Sequence, residues 1–326
     1  MSKLEARYYP ILRGRQNELI AVRELASEGK LANVIPVIEP VKASSTLIKT
    51  LSESFHSGAT IGIVLNPQVG SFDHDLRSDP DFCKRYAQLL NTHDSRVRFF
   101  IRISTDTERT IESALSLFAD SSAQVRNWNA IMTRDTTREA ASTVQELQEH
   151  GEVQQVIATF PKPINRFREN RVLLTAGIDI RARNADYRNP NDEFFSDGPS
   201  SYSLYGCDGF SDYSIVGETY KSGGFSPRAV ALHITYFDED NDVRVRHFVS
   251  NPPDDTGDVP GKYADAVESL CSWAHEQKSE TLPRTIGLDY YDQTLRDQRF
   301  PGLGAAKKYS IMHHLEMIDW YLESTK

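Results

Sequence analysis

The sequence contains no apolar run approaching the roughly 18 residues that a membrane-spanning helix requires, so no membrane segment is expected in its 326 residues. The opening stretch MSKLEARYYP mixes charges and lacks an apolar core, which argues against a secretory signal. Cysteine is scarce. Cys83, Cys207 and Cys271 form neither a CxxC pair nor an even disulfide set, a pattern suited to a reducing compartment, so a cytoplasmic protein is expected. No GxGxxG follows any strand-like run and no GxxxxGK[ST] occurs, which leaves no case for a dinucleotide or P-loop site. HExxH, paired-cysteine and GxSxG motifs are also missing. His313 and His314 are adjacent, so on a helix they point about 100° apart and cannot share an ion. Neither a metal nor a cofactor is expected.

What is present is alternation. With 39% hydrophobic and 25% charged residues the composition is that of an ordinary globular protein. Short β-rich apolar runs lie at 8–12, 34–39, 61–66, 99–103, 130–133, 155–160, 172–178 and 229–236. Polar stretches of helical period lie between most of them, at 16–29, 46–55, 79–91, 107–118 and 137–150, the last behind Asp135 and Thr136 as N-caps. Eight strands in this order predict an α/β fold, a single TIM-like (β/α)8 barrel domain spanning 1–326.

The regularity breaks after Ile178. Residues 179–228 are rich in Gly, Ser, Asp and aromatic side chains, from Tyr187 to Phe225, without a clear helix. Aromatic content argues for an ordered cap between strands 7 and 8, with an extra strand at 213–216. Residues 230–237 and 243–249 read as a hairpin around 238–241. Residues 251–326 read as a linker (251–261) followed by closing helices at 263–276 and 304–324.

In such barrels chemistry sits at the C-terminal ends of the strands. The polar residues there are Arg13, Arg15, Glu39, Lys42, Asn66, Arg102, Arg134, Asp135, Lys162, Asp179 and Arg181. Seven are basic and three acidic, which suits an anionic substrate, although strand ends meet solvent in any barrel. Arg13, Glu39, Arg102, Lys162 and Arg181 are expected to converge on one cavity. Net charge is −9, against indiscriminate polyanion binding, yet residues 161–188 hold seven basic and three acidic residues. Arg166, Arg168, Arg183 and Arg188 in that stretch could grip phosphates, or could form a solvated, salt-bridged surface. A second dense stretch is CDGFSDY at 207–213. Asp208 beside Gly209 suits a turn; Asp212 beside Tyr213 suits a sheltered carboxylate that stabilises a cation. His233, within a strand, reads as a hydrogen-bonded core histidine.

Two stretches carry a resemblance. Tyr8-Tyr9-Pro10-Ile11-Leu12-Arg13-Gly14-Arg15-Gln16-Asn17-Glu18-Leu19, with Arg23-Glu24-Leu25, is similar to the N-terminus of the phage-type "beta protein" family. Gly209-Phe210-Ser211-Asp212-Tyr213-Ser214, Gly223-Gly224 and 229–233 resemble its second signature. The resemblance implies a barrel-like fold and a role in bacterial anti-phage defence, with some relatives resembling DNA glycosylases that remove hypermodified bases, such as glucosylated hydroxymethylcytosine. The partner would be phage DNA, with no membrane and no obligatory protein partner. Cleaving an N-glycosidic bond needs a carboxylate beside an oxocarbenium-like sugar, and rings to hold an extruded base. Asp212 is expected to be that carboxylate, with Glu39 as a second catalytic residue. Tyr213 would pack on the base, and Arg13, Lys42, Asn66, Arg102, Lys162, Asp179 and Arg181 would bind substrate. A metal-dependent nuclease using Glu39, Asp179 and Asp212, or a non-catalytic sensor of a phage product, are the alternatives.

Overall fold

Continuous apolar runs are the mark of strands buried on both faces, and the first seven runs form strands of one parallel sheet. These are β1 (Ile11–Leu12), β2 (Val37–Ile38), β3 (Ile61–Val64), β4 (Val97–Arg102), β5 (Trp128–Met132), β6 (Val153–Thr159) and β7 (Arg171–Leu174). The computed structural model describes residues 6–103, 110–112, 114, 127–220, 227–252 and 255–325. Helices α1 (Gln16–Ser27), α2 (Ser45–His56), α3 (Phe72–Ser78), α4 (Pro80–Thr92) and α5 (Arg138–Glu149) join the strands. Their starts follow capping chemistry: Ser44, Asp79 and Thr137 side chains accept from Leu47 N, Phe82 N and Ala140 N. Thr137, rather than Asp135 or Thr136, is therefore the cap of α5. Thr136 Oγ1 instead accepts from Thr133 N in the preceding turn. Most of the helix expected at 107–118 lies outside the described residues, as do Gly223, Gly224 and Phe225.

The eighth strand is not the one expected. The sheet runs in the order β1 to β7 and then β9 (Gly209–Ser211), which pairs parallel to β7. Tyr9 N donates to Phe210 O (3.0 Å), Ile11 N to Asp212 O (2.8 Å) and Phe210 N to Arg7 O (2.8 Å). The last strand thus lies beside the first, and the eight-stranded sheet is nearly closed and barrel-like. Gly209 makes the approach feasible, because a Cβ there would stand 2.6 Å from the Arg7 carbonyl oxygen. The expected extra strand at 213–216 is a tight 3-10 turn, Ser214–Val216.

The run expected to complete the barrel belongs to a second sheet. Strands β8 (Asp192–Ser196), β10 (Ala231–Phe237) and β11 (Val243–Val249) form a three-stranded antiparallel sheet, with the expected hairpin between β10 and β11. Leu232, Ile234 and Phe248 of this sheet share a buried cluster with Leu270, Tyr291 and Ala306. Those three come from α7 (Val259–Glu276), α8 (Ile286–Arg296) and α9 (Leu303–Ser324), α6 being the single turn Gly198–Ser201. The C-terminal helices therefore cover the second sheet. Instead of one domain, the chain divides into two compact units: Met1–Thr175 with Ser201–Asp212, and Ala176–Ser200 with Tyr213–Lys326. The expected cap is accordingly shared between two units. No helix among the described residues is long and apolar enough to cross a membrane.

Candidate functional site

Side chains alternate across a strand, and register assigns them to the two faces of the parallel sheet. Ile11 pairs with Val37, Val37 with Gly62, Phe100 with Asn129, and Asn129 with Gln155. One face therefore reads Tyr9, Ile11, Arg13 on the first strand and Ile35, Val37, Glu39 on the second. It continues with Arg98, Phe100, Arg102 on β4, Asn129, Ile131 on β5 and Gln155, Ile157 on β6. This is the inner face: the Glu39 carboxylate reaches Arg102 across the intervening β3.

At the C-terminal end of that face three charges meet. Glu39 is fully buried and pairs with Arg13 Nη1 and, at 3.1 Å, with Arg102 Nη1. Its other oxygen accepts from Gln68 N at 2.8 Å. Asn66 fixes Arg102 through two main-chain contacts, Nδ2 to Arg102 O and Arg102 N to Oδ1, both 2.8 Å. Gly14 turns the chain away directly after Arg13; its φ is +59°, and a Cβ would stand 3.0 Å from the Glu39 carbonyl oxygen. Glu18, also buried, accepts from Arg13 N. Glu18 is not among the residues expected at the site, although it shares the apolar stripe of α1 with Val22 and Leu25 at i+4 and i+7, where a charge is out of place.

Asp212 is on the other face. The Ile11–Asp212 contact continues the ladder, so Asp212 shares its side with Phe210 and Tyr8 and not with Arg13 or Glu39. Tyr8 donates its hydroxyl to Asp212 Oδ1 at 2.8 Å and stacks on Phe210 with centroids 4.8 Å apart. Burial, and then the neighbouring carboxylate, push the Tyr8 phenol well above its ordinary range, so it stays a donor. The two stretches that carry the family resemblance are thus direct neighbours, welding the first strand to the last. Tyr213 is 1% exposed, which leaves no ring face open to an extruded base.

The expected five-residue convergence holds for Arg13, Glu39 and Arg102. Lys162 is exposed on the loop after β6, and its carbonyl accepts from Thr159 Oγ1. Arg181 belongs to the second unit and pairs with Glu193 at 2.6 Å. Lys42 and Asp179 are exposed, and the Asp179 carbonyl accepts from Tyr187. The basic stretch divides in the same way. Arg166, bonded to Ser142, and exposed Arg168 lie in the first unit. In the second, Arg183 pairs with Asp186 at 2.7 Å and Arg188 donates to Ser250 O at 2.6 Å. Among the described residues no group of three or more His, Cys, Asp or Glu is placed to hold a metal ion. The Glu39–Asp179–Asp212 trio is therefore no metal cluster.

The second unit carries a chain of polar groups of which the sequence marks only His233. His233 Nδ1 lies 2.7 Å from His247 Nδ1, and His247 Nε2 lies 2.9 Å from Glu193 Oε1. Burial lowers the proton affinity of both, that of His233 to about 3. With both rings neutral, His247 donates to Glu193 and accepts from His233. The signal for this pairing is the hairpin register, which sets position 233 opposite 247.

No protein-family model and no curated protein sequence matches the chain.

Proposed function

We propose that the first unit is a TIM-like (β/α)8 barrel whose inner C-terminal rim is the functional centre. It hydrolyses the N-glycosidic bond of a hypermodified base in DNA, with Glu39 as the carboxylate of the chemical step. The observation that carries this reading is the trio of charges on inner-face positions. Buried ion pairs add little stability over apolar residues of the same volume, and Ile11, Val37 and Phe100 fill the equivalent positions one step down the strands. A charge cluster at the C-terminal end, where barrel chemistry is found, is expected from function rather than packing. Arg13 and the Gln68 N–H hold the carboxylate at the rim, where its charge stabilises a developing cationic sugar. Arg102, with 14% of its side chain exposed, is placed to meet a flanking phosphate. The DNA substrate and the defence setting come from the family resemblance alone.

The test is release of free base from phage DNA carrying glucosylated hydroxymethylcytosine, followed by mass spectrometry. Glu39→Gln keeps the shape and removes the charge, and is expected to slow release by about a hundredfold or more. Release that persists in Glu39→Gln contradicts the assignment. Strand nicks that vanish with EDTA would favour the nuclease, and saturable binding without any product would favour the sensor.

A further inference from the structure

The N-terminal end of the same inner face has a different character. An open cavity of 860 Å³ lies there, lined by Tyr9, Arg98, Asn129, Gln155, Arg166 and Arg168 among others. Its size is that of a small-molecule site. Along the strands it is separated from the charged rim by Ile11, Val37, Phe100, Ile131 and Ile157, each 1% exposed or less. A ligand held there would not touch Glu39.

Gln155 points to an occupant. It is 6% exposed, and its Nε2 is buried without a hydrogen-bond partner. Leaving a buried amide donor unmet is costly, and the apolar alternative was open, since Ile157 is the next inner residue on the same strand. Asn129 beside it on β5 is 4% exposed, and its Nδ2 is already engaged by Phe99 O at 2.9 Å. The cationic part of the wall is Arg98, Arg166 and Arg168, against Glu149 and Glu169. Arg98 Nη1 is steadied by Ser95 O and Val97 O, and Arg166 Nη1 by Ser142 Oγ.

We infer that this cavity is a second ligand site, for a nucleoside monophosphate. The unmet Gln155 amide donor meets an acceptor on the base edge, as amide side chains do when they read bases. The Arg166–Arg168 side of the wall takes the phosphate. No rim residue takes part, so the site does not rest on the assignment of Glu39.

Titration calorimetry of the full chain with the four deoxynucleoside monophosphates, the matching nucleosides and orthophosphate tests it. At least one monophosphate is expected to bind at one site per chain, about tenfold or more tighter than its nucleoside or orthophosphate. Gln155→Leu is expected to weaken that binding about tenfold. Arg168→Ala, at an exposed position that leaves the fold alone, is expected to weaken it severalfold, and Glu39→Gln to leave it unchanged. The inference is overturned if no monophosphate binds, if orthophosphate binds as tightly, or if Glu39→Gln abolishes binding. It is also overturned if Arg168→Ala leaves affinity unchanged, a criterion that decides even where Gln155→Leu fails to fold.

Discussion

At the residue scale, the dense polar and aromatic chemistry of the GFSDY stretch forms a seam. Asp212 accepts from Tyr8 on the face opposite Glu39, so its first duty is to the join between β1 and β9. Tyr8→Phe removes one buried donor from a carboxylate and is expected to cost about 1–3 kcal/mol in urea unfolding. Gly209→Ala forces a methyl against the Arg7 carbonyl at the same seam and is expected to cost about 1–3 kcal/mol by overpacking. An unchanged midpoint in both would show that the seam does not hold the sheet. What the sequence hides here is side-chain direction. Asp212 and Glu39 both follow strands, but which face each occupies depends on register, and register across β1 and β9 joins residues far apart in the chain.

At the element scale, the seven apolar runs are legible because strands buried on both faces leave a continuous Val/Ile signature. The eighth is not, because Gly209-Phe210-Ser211 is a short strand flanked by aspartates, with no run to see. The longer candidate Ala231–Phe237 stands out in its place. Its alternation of Leu232 and Ile234 with His233 suits an antiparallel strand, and it pairs antiparallel with its hairpin partner. Helix α8 is not among the expected elements, although Leu288, Tyr291 and Leu295 recur at i, i+3 and i+7 with Asp289, Asp292 and Arg296 beside that stripe. In the second unit two buried histidines, His233 on β10 and His313 on α9, set a pH limit. Burial lowers His233 to about 3 and His313 to about 4 from an unfolded value of 6.5. Both are neutral in the folded unit and take up protons more readily when unfolded. Their contribution is therefore complete above about pH 6.5 and is lost as pH falls towards 4. Thermal melts are expected to show the midpoint dropping across that window, with a shallower decline in His233→Gln. A midpoint flat from about pH 7 to pH 4 would contradict the buried, neutral pairing.

At the scale of the molecule, the proposed function asks an acidic chain of net charge −9 to meet DNA through local patches. Arg183 is occupied by Asp186 and Arg181 by Glu193, which leaves Arg166 and Arg168 as the stronger phosphate candidates of the basic stretch. Reversing both to Glu is expected to weaken DNA binding and flatten its log–log salt dependence, by about one unit for each phosphate no longer neutralised. An unchanged slope would assign them to the cavity alone. The two carboxylates separate most sharply in one comparison: the rate of base release from modified phage DNA by Glu39→Gln and by Asp212→Asn, measured side by side on folded protein. With the chemistry at the rim, Glu39→Gln is expected to lose about a hundredfold or more, and Asp212→Asn to lose stability while keeping most of its turnover. Normal release by Glu39→Gln together with a folded but inactive Asp212→Asn would place the chemistry on the other face of the sheet and contradict the rim assignment.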